Sequence, residues 1–269
     1  MKIYFSLFYF LLFLSLQAKA QCSAENTAFK SGETLFYDMY FNWKFVWVKV
    51  GTASMNISNT VYEGKPAYRT RLITRSSERA DRFFVLRDTL TSYVGHDLTP
   101  FYYKKGANEG GAYRAENVWY NYSNGRAYAR QRYQNKEGKV SWRNYDDHLC
   151  IFDMLSMLLR ARSFDASQYK TGHKIRFRMA EGDKCETQTL VFRGKKTFKM
   201  DNSTTKYRCL VFSFVEYDDN KEKEVVTFYV TDDENHLPVR LDLYLKFGSA
   251  KAFLVGAKGI RNPQAALIK

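Results

Sequence analysis

The segment DDHLCIFDMLSMLLRAR, residues 146–162, sets one carboxylate, Asp153, inside an almost unbroken apolar run. A carboxyl group kept from water has a raised pKa and can serve as a general acid or base. The same placement suits a strut, because a buried charge needs hydrogen-bonding or charged partners. Arg69, Arg71 and Arg75, alternating along AYRTRLITR, are the candidate partners, and the strut is the role we expect. Two acid–histidine pairs, Asp153 with His148 and Asp233 with His236, could support hydrolysis if they met in a cleft. Asp232, Asp233 and Glu234, however, belong to a DDENH stretch with the composition of a hairpin turn, and they lack the alternating acids and closing Glu of a calcium loop. His96 and His173 stand alone, and no zinc-protease, serine-hydrolase or phosphate-loop pattern occurs. No catalytic residue, metal site or cofactor is expected.

A second kind of chemistry is binding. Tyr113, Arg114, Trp119, Tyr120, Tyr122, Tyr128, Arg130, Arg132 and Tyr133 crowd two adjacent strand-like stretches. Aromatic faces with guanidinium groups stack on sugar rings and hold acidic groups bidentately. Ordinary cross-strand pairing would use the same residues, at roughly 0.2–1 kcal/mol per pair. The candidate ligand-binding set is Tyr113, Trp119, Tyr120, Tyr128, Arg130 and Arg132, with Arg69 and Arg71 from the earlier stretch.

These residues must be positioned by strands. TLFYDMYFN and VGTASMNIS alternate apolar with polar residues, the half-buried strand pattern. ENVWYNYSNGRAYARQRYQ places Asn124-Gly125 between two aromatic runs, a strong hairpin signal, and NKEGK then turns the chain into VSWRNY. HKIRFRMA, TQTLVFR, YRCLVFSFVEYDD and the stretch from residue 223 to 256 repeat the pattern, with connections too short for crossover helices. The fold class is therefore all-β: a large antiparallel meander forming a curved sheet or incomplete barrel. One buried helix, about residues 147–162, lies between an N-terminal β run (29–145) and a C-terminal one (172–257). Asp146 or Asp147 would cap that helix, Arg160 and Arg162 would close its last turn, and Leu155 and Leu158 would pack its apolar face.

Bulk properties agree with one folded domain over residues 21–269. Aromatics make up 17% of the 269 residues and Pro only 4, the opposite of a disordered composition. Residues 1–20 read as a signal peptide, with Lys2 ahead of an apolar run and Ala18-Lys19-Ala20 as the cleavage site. Cleavage after Ala20 would leave a periplasmic or secreted protein; lipid attachment through Cys22 is the alternative. Export permits disulfides, with Cys185 and Cys209 as the possible pair and Cys150 a small apolar residue of the helix. The net charge of +14 suits anionic envelope material, and the signal peptide argues against nucleic acid as partner.

Three stretches together resemble a known family. FKSGETLFYDMYFNWKFVWVKVGTASMNI is similar to its N-terminal signature, CIFDMLSMLLRAR to its central helix, and VTFYVTDDENHLPVRLDLYLKFGSAKAFL to its closing hairpins. The family is domain of unknown function 3108, exported bacterial proteins, and the resemblance runs from about residue 29 to 256. It implies a β-barrel-like fold similar to a capsule-associated lipoprotein, with no activity or ligand attached.

The functional expectation is an exported cell-envelope protein, non-enzymatic, that holds a lipid-like or glycan ligand. A hydrolase of envelope glycan or peptide, and a structural protein that meets another envelope chain, are the alternatives. Oligomeric state is not readable from these features.

Overall fold

The computed structural model describes residues 22–43, 46–199, 205–219, 221–245 and 248–268, so the expected signal peptide lies outside the described residues. The N-terminal run is a meander of β1 (Thr34–Trp43), β2 (Val46–Tyr62), β3 (Lys65–Ser76), β4 (Leu86–Gly95), β5 (Pro100–Glu109), β6 (Ala112–Ser123), β7 (Arg126–Gln134) and β8 (Val140–Asp147). A one-turn helix α1 (Glu78–Asp81) interrupts it after β3. The C-terminal run is β10 (Lys174–Glu181), β11 (Lys184–Lys199), β12 (Lys206–Asp218), β13 (Lys221–Thr231), β14 (Pro238–Leu245) and β15 (Gly248–Lys258). Between the runs lie the two-residue β9 (Ile151–Phe152) and helix α2 (Met154–Ala161), and β16 (Leu267–Ile268) pairs with β12.

One antiparallel pairing, β1 with β15, joins the two meanders into a single sheet ordered from β8 through β1 and β15 to β9. Among the described residues only β9 runs parallel to its neighbour, β10. The all-β, barrel-like expectation holds, and the sheet curls until it is nearly closed. Its two edges, β8 and β9, are bridged by the β10–β11 hairpin, where Arg178 pairs with Asp147 (3.1 Å) and Tyr145 donates to the Asp183 carbonyl (2.7 Å). The hairpin expected at Asn124-Gly125 is present. Both residues have positive φ (51° and 69°), the mirror-image turn whose twist matches that of the flanking strands.

The helix is shorter than expected and starts later. Asp146 and Asp147 remain in β8, paired with Tyr128 and Ala127, and cap nothing. Asp153 is the N-cap: its Oδ1 accepts from the Leu155 and Ser156 amides (both 2.9 Å), and Ser156 Oγ accepts from the Asp153 amide (3.0 Å). This reciprocal box satisfies amides that would otherwise be buried and unpaired. Leu155 and Leu159 are fully buried, and Leu158 is partly buried beside Leu35 and Leu237. The side of the sheet facing α2 supplies Leu90, Tyr103, Val118 and Ala129.

The expected Cys185–Cys209 pair does not form. Cys209 lies opposite Lys196, at the far end of β11 from Cys185, and both thiols are free. Cys22 is instead bonded to Cys150, with their Cα atoms 5.4 Å apart. Cys150 thus precedes the helix as a cross-link to the segment before β1. The bridge closes a span of 128 residues. Loops of that size stabilise by about 4–5 kcal/mol through the entropy removed from the unfolded chain. Replacing Cys150 by Ser should lower the unfolding free energy by about that amount in urea titration. Peptide mapping of the unreduced protein should link Cys22 to Cys150 and find Cys185 and Cys209 alkylated.

Candidate functional site

Side chains alternate across each strand, so register decides which residues share a face. On the face turned away from α2, pairing lines up Ser58, Arg69, Tyr93, Tyr102, Trp119, Arg130 and Asn144 in one row from β2 to β8. The next row holds Asn56, Arg71, Thr91, Lys104, Asn117, Arg132 and Trp142. Nearer the β3–β4 connection, Arg75, Arg87, Asn108 and Tyr113 follow one another. Arg69, Arg71, Tyr113, Trp119, Tyr128, Arg130 and Arg132, seven of the eight expected binding residues, occupy this outer face.

The aromatic side chains form a continuous ladder. Tyr62 stacks on Tyr102 with centroids 5.7 Å apart, Tyr102 meets Trp119 at 5.5 Å, and Trp119 stacks on Trp142 at 5.8 Å. The Arg130 guanidinium lies 4.6 Å from the centre of the Trp142 ring, in cation–π geometry. Asn117 donates to the Tyr102 hydroxyl (2.6 Å), which fixes that ring. Burial, with Glu63 next in effect, pushes Tyr62 up to about 12, so its phenol stays neutral at physiological pH. Beside the ladder, an open concavity of about 470 Å³ is lined by Arg69, Arg71, Arg87, Lys104, Tyr93 and Tyr113 with Thr89, Thr91 and Gly106.

The electrostatics of this face are one-sided. No outward position of β2 to β7 carries Asp or Glu, and at its rim Arg126 is paired with Asp146 and Arg87 with Asp81. Among the described residues, Arg69, Arg71, Lys104 and Arg130 have no carboxylate partner. Flat rings beside such cations can stack on apolar ring faces and hold anionic groups.

Tyr120 is the exception among the expected binding residues. It sits on the opposite face, and its hydroxyl donates to Asp153 Oδ2 (3.4 Å), which also accepts from Ser92 Oγ (3.2 Å). Burial raises the Asp153 pKa, and the bonds from Ser156, Ser92 and Leu155 oppose that shift. The strut is therefore built from hydroxyls and amides, because Arg69, Arg71 and Arg75 point outward. The fully buried ion pair of the core is Arg162 with Glu33. Arg160 donates to the Cys22 carbonyl (2.9 Å) and lies over the Phe152 ring.

The acid–histidine pairs do not converge. His148 is exposed beside Arg126, whereas Asp153 is sealed in the core. Asp233 accepts from Thr231, Asn235 and Ala266, and His236 donates to the Arg162 carbonyl (2.6 Å). The bonds from Thr231 and Asn235 are turn bonds, as the composition of the segment suggested, and those to Arg162 and from Ala266 tie the turn to distant segments. Among the described residues, no three His, Cys, Asp or Glu side chains are placed to hold a metal ion.

One buried acid was not anticipated. Glu116 accepts from Gln131 Nε2 (2.5 Å) and from the Gly182 amide (3.2 Å), where the β10–β11 hairpin docks inside the sheet. Burial pushes its pKa up to about 7. A folded-state pKa above the unfolded 4.5 means that the protonated form is favoured by folding. The associated stability is complete below about pH 4.5 and is lost as pH rises through 7, by about 3 kcal/mol in total. Glu116→Gln should remove that part of the pH dependence, so that its urea midpoint exceeds the parent's at pH 8 and approaches it at pH 4. Parallel profiles for the two proteins would contradict the assignment.

Comparison with known proteins follows the same lines. Residues 37–255 match the model of the family described as protein of unknown function, DUF3108. A β-barrel-like protein of domain of unknown function DUF1849 from Brucella abortus shares the fold, with a TM-score of 0.54 at 11% identity over 87% of this chain and 100% of that one. A protein of Bacteroides fragilis with a YmcC-like fold, described as a candidate exported protein, gives a TM-score of 0.34 at 9% identity, over 87% and 99% of the two chains. Among curated proteins, none matches the chain.

Proposed function

The chain belongs to the DUF3108 family, and from its outer face we propose that it is an exported, non-enzymatic protein that binds acidic glycan of the cell envelope. The observation that carries this reading is the Tyr62–Tyr102–Trp119–Trp142 ladder flanked by Arg69, Arg71, Lys104 and Arg130, four cations that have no carboxylate partner among the described residues. Sugar rings offer flat C–H faces to aromatic side chains, and uronate, sulfate or phosphate groups offer oxygens to guanidinium forks. The rows run across several strands, which suits an extended chain better than a compact molecule. The lipid-like alternative has less support, because Leu155 packs against the inner face of the sheet with Leu90, Tyr103, Val118 and Ala129. Export is favoured by the leader-like residues 1–20 and by a Cys22–Cys150 disulfide, which belongs to oxidising compartments.

The test compares polygalacturonate with neutral dextran in affinity electrophoresis at low salt. Retention by the acidic polymer, weakening as salt is added, is expected. The double variant Arg130→Ala/Trp142→Ala should weaken it by about tenfold or more, since a charge-assisted hydrogen bond contributes roughly 1.5–3 kcal/mol. Tyr120→Phe, on the other face, should leave retention unchanged. Equal retention by the double variant, or equal retention by dextran, would overturn the proposal.

A further inference from the structure

Strand alternation places the end of β1, the start of β2, the β3–β4 connection and the end of β14 at one end of the barrel, opposite the end packed by the segments around Glu33, Arg162 and Asn235. These described segments are neighbours. β1 pairs with both β2 and β15, and the Ser77 amide donates to the Val50 carbonyl (2.8 Å) to hold the β3–β4 connection against β2. Large apolar side chains are concentrated on them: Val46 is 62% exposed, Phe83 78% and Leu245 41%, with Trp47, Phe84 and Tyr244 also exposed. Several large apolar side chains exposed at one end of a domain mark a surface that meets something.

The charges around the patch decide what that is. Lys251 lies 3.9 Å from the centre of the Trp47 ring, and Arg79 and Arg82 are exposed on the β3–β4 connection. Of the acids there, Asp81 is held by Arg87 and nearby Asp38 by Lys49, which leaves Glu78 as the exposed acid against Arg79, Arg82 and Lys251. Trp and Tyr with aliphatic neighbours settle at the boundary between headgroups and acyl chains, and Lys and Arg above them are drawn to anionic headgroups. We propose that this end of the barrel docks on an anionic lipid surface, with Val46, Trp47 and Leu245 entering the interface and Lys251, Arg79 and Arg82 facing headgroup phosphates. The contact is peripheral: among the described residues no helix is long and apolar enough to cross a bilayer, and these residues are strand ends and loops.

The test is co-sedimentation of the chain beginning at Gln21, which carries every described residue, with vesicles of phosphatidylcholine alone or mixed with phosphatidylglycerol. Binding to the anionic vesicles is expected, with less on the zwitterionic ones and a decline as salt is added. Trp47→Ser/Leu245→Ser should lower the bound fraction by about tenfold or more, given the apolar area withdrawn from the interface. Both sites are exposed, so unchanged thermal unfolding confirms that the variant is folded. Arg130→Ala/Trp142→Ala, which alters the outer face, should bind vesicles like the parent, and this separates failure of the lipid surface from failure of the glycan reading. Three results would overturn the proposal. These are no binding to either vesicle, equal binding by the Trp47/Leu245 variant, or concentration-dependent self-association that the same variant abolishes.

Discussion

A buried guanidinium cannot give up its proton and cannot be left without partners. Arg162, at the end of α2, is 2% exposed and meets this constraint completely. Two of its nitrogens donate to Glu33, at 2.5 and 3.0 Å, and the Asn235 carbonyl accepts from Nε and Nη2 at 3.1 and 3.0 Å. Phe29 lies beneath it. The carbonyl that Arg162 uses belongs to a residue whose side-chain amide in turn binds the carbonyls of Asn262 and Pro263, while Asn262 reaches back to Thr27. One charge thus ties together the helix, the segment before β1, the β13–β14 turn and the segment after β15. Removing either partner would leave an unpaired buried charge, which costs about 3–5 kcal/mol.

With that end of the barrel filled, the rest of the molecule divides by face. Inside, two buried carboxylates are held by fixed neighbours: Asp153 by amides and hydroxyls, Glu116 by Gln131 and a hairpin amide. Outside, an excess of cations lies along an aromatic ladder. Arg69, Arg71, Lys104 and Arg130 are thus held where a ligand could meet them, whereas the buried Glu33 is engaged by Arg162. The same logic extends to the far end, where exposed apolar side chains and cations share the strand ends and the β3–β4 connection.

The strand content, the Asn124-Gly125 hairpin and the alternation that sets Arg69 and Arg71 on one face were legible because they depend on local periodicity and turn chemistry. The helix start was misread because the apolar run extends upstream of Asp153 and hides the cap. The Asp153-x-x-Ser156 spacing of a capping box was present as a signal. The disulfide could not be read, since Cys22 and Cys150 meet only once the chain has closed around α2. Tyr120 was grouped with Trp119 by proximity, although adjacent residues on a strand face opposite ways. Tyr93, Tyr102, Lys104 and Trp142 were missed for the complementary reason: their place in the ladder comes from inter-strand register, which a single sequence does not specify.

We propose that recognition takes place on the outer face of the barrel, with α2 packed against the inner face. Photo-crosslinking with an acidic oligosaccharide that carries a diazirine, followed by peptide mass spectrometry, tests it most directly. Crosslinks confined to peptides bearing Tyr93, Tyr102, Trp119 and Trp142, displaced by unlabelled acidic glycan, are the expected result. Displaceable crosslinks on the α2 peptide around Leu155 and Leu159 would place the ligand inside the barrel and contradict the account.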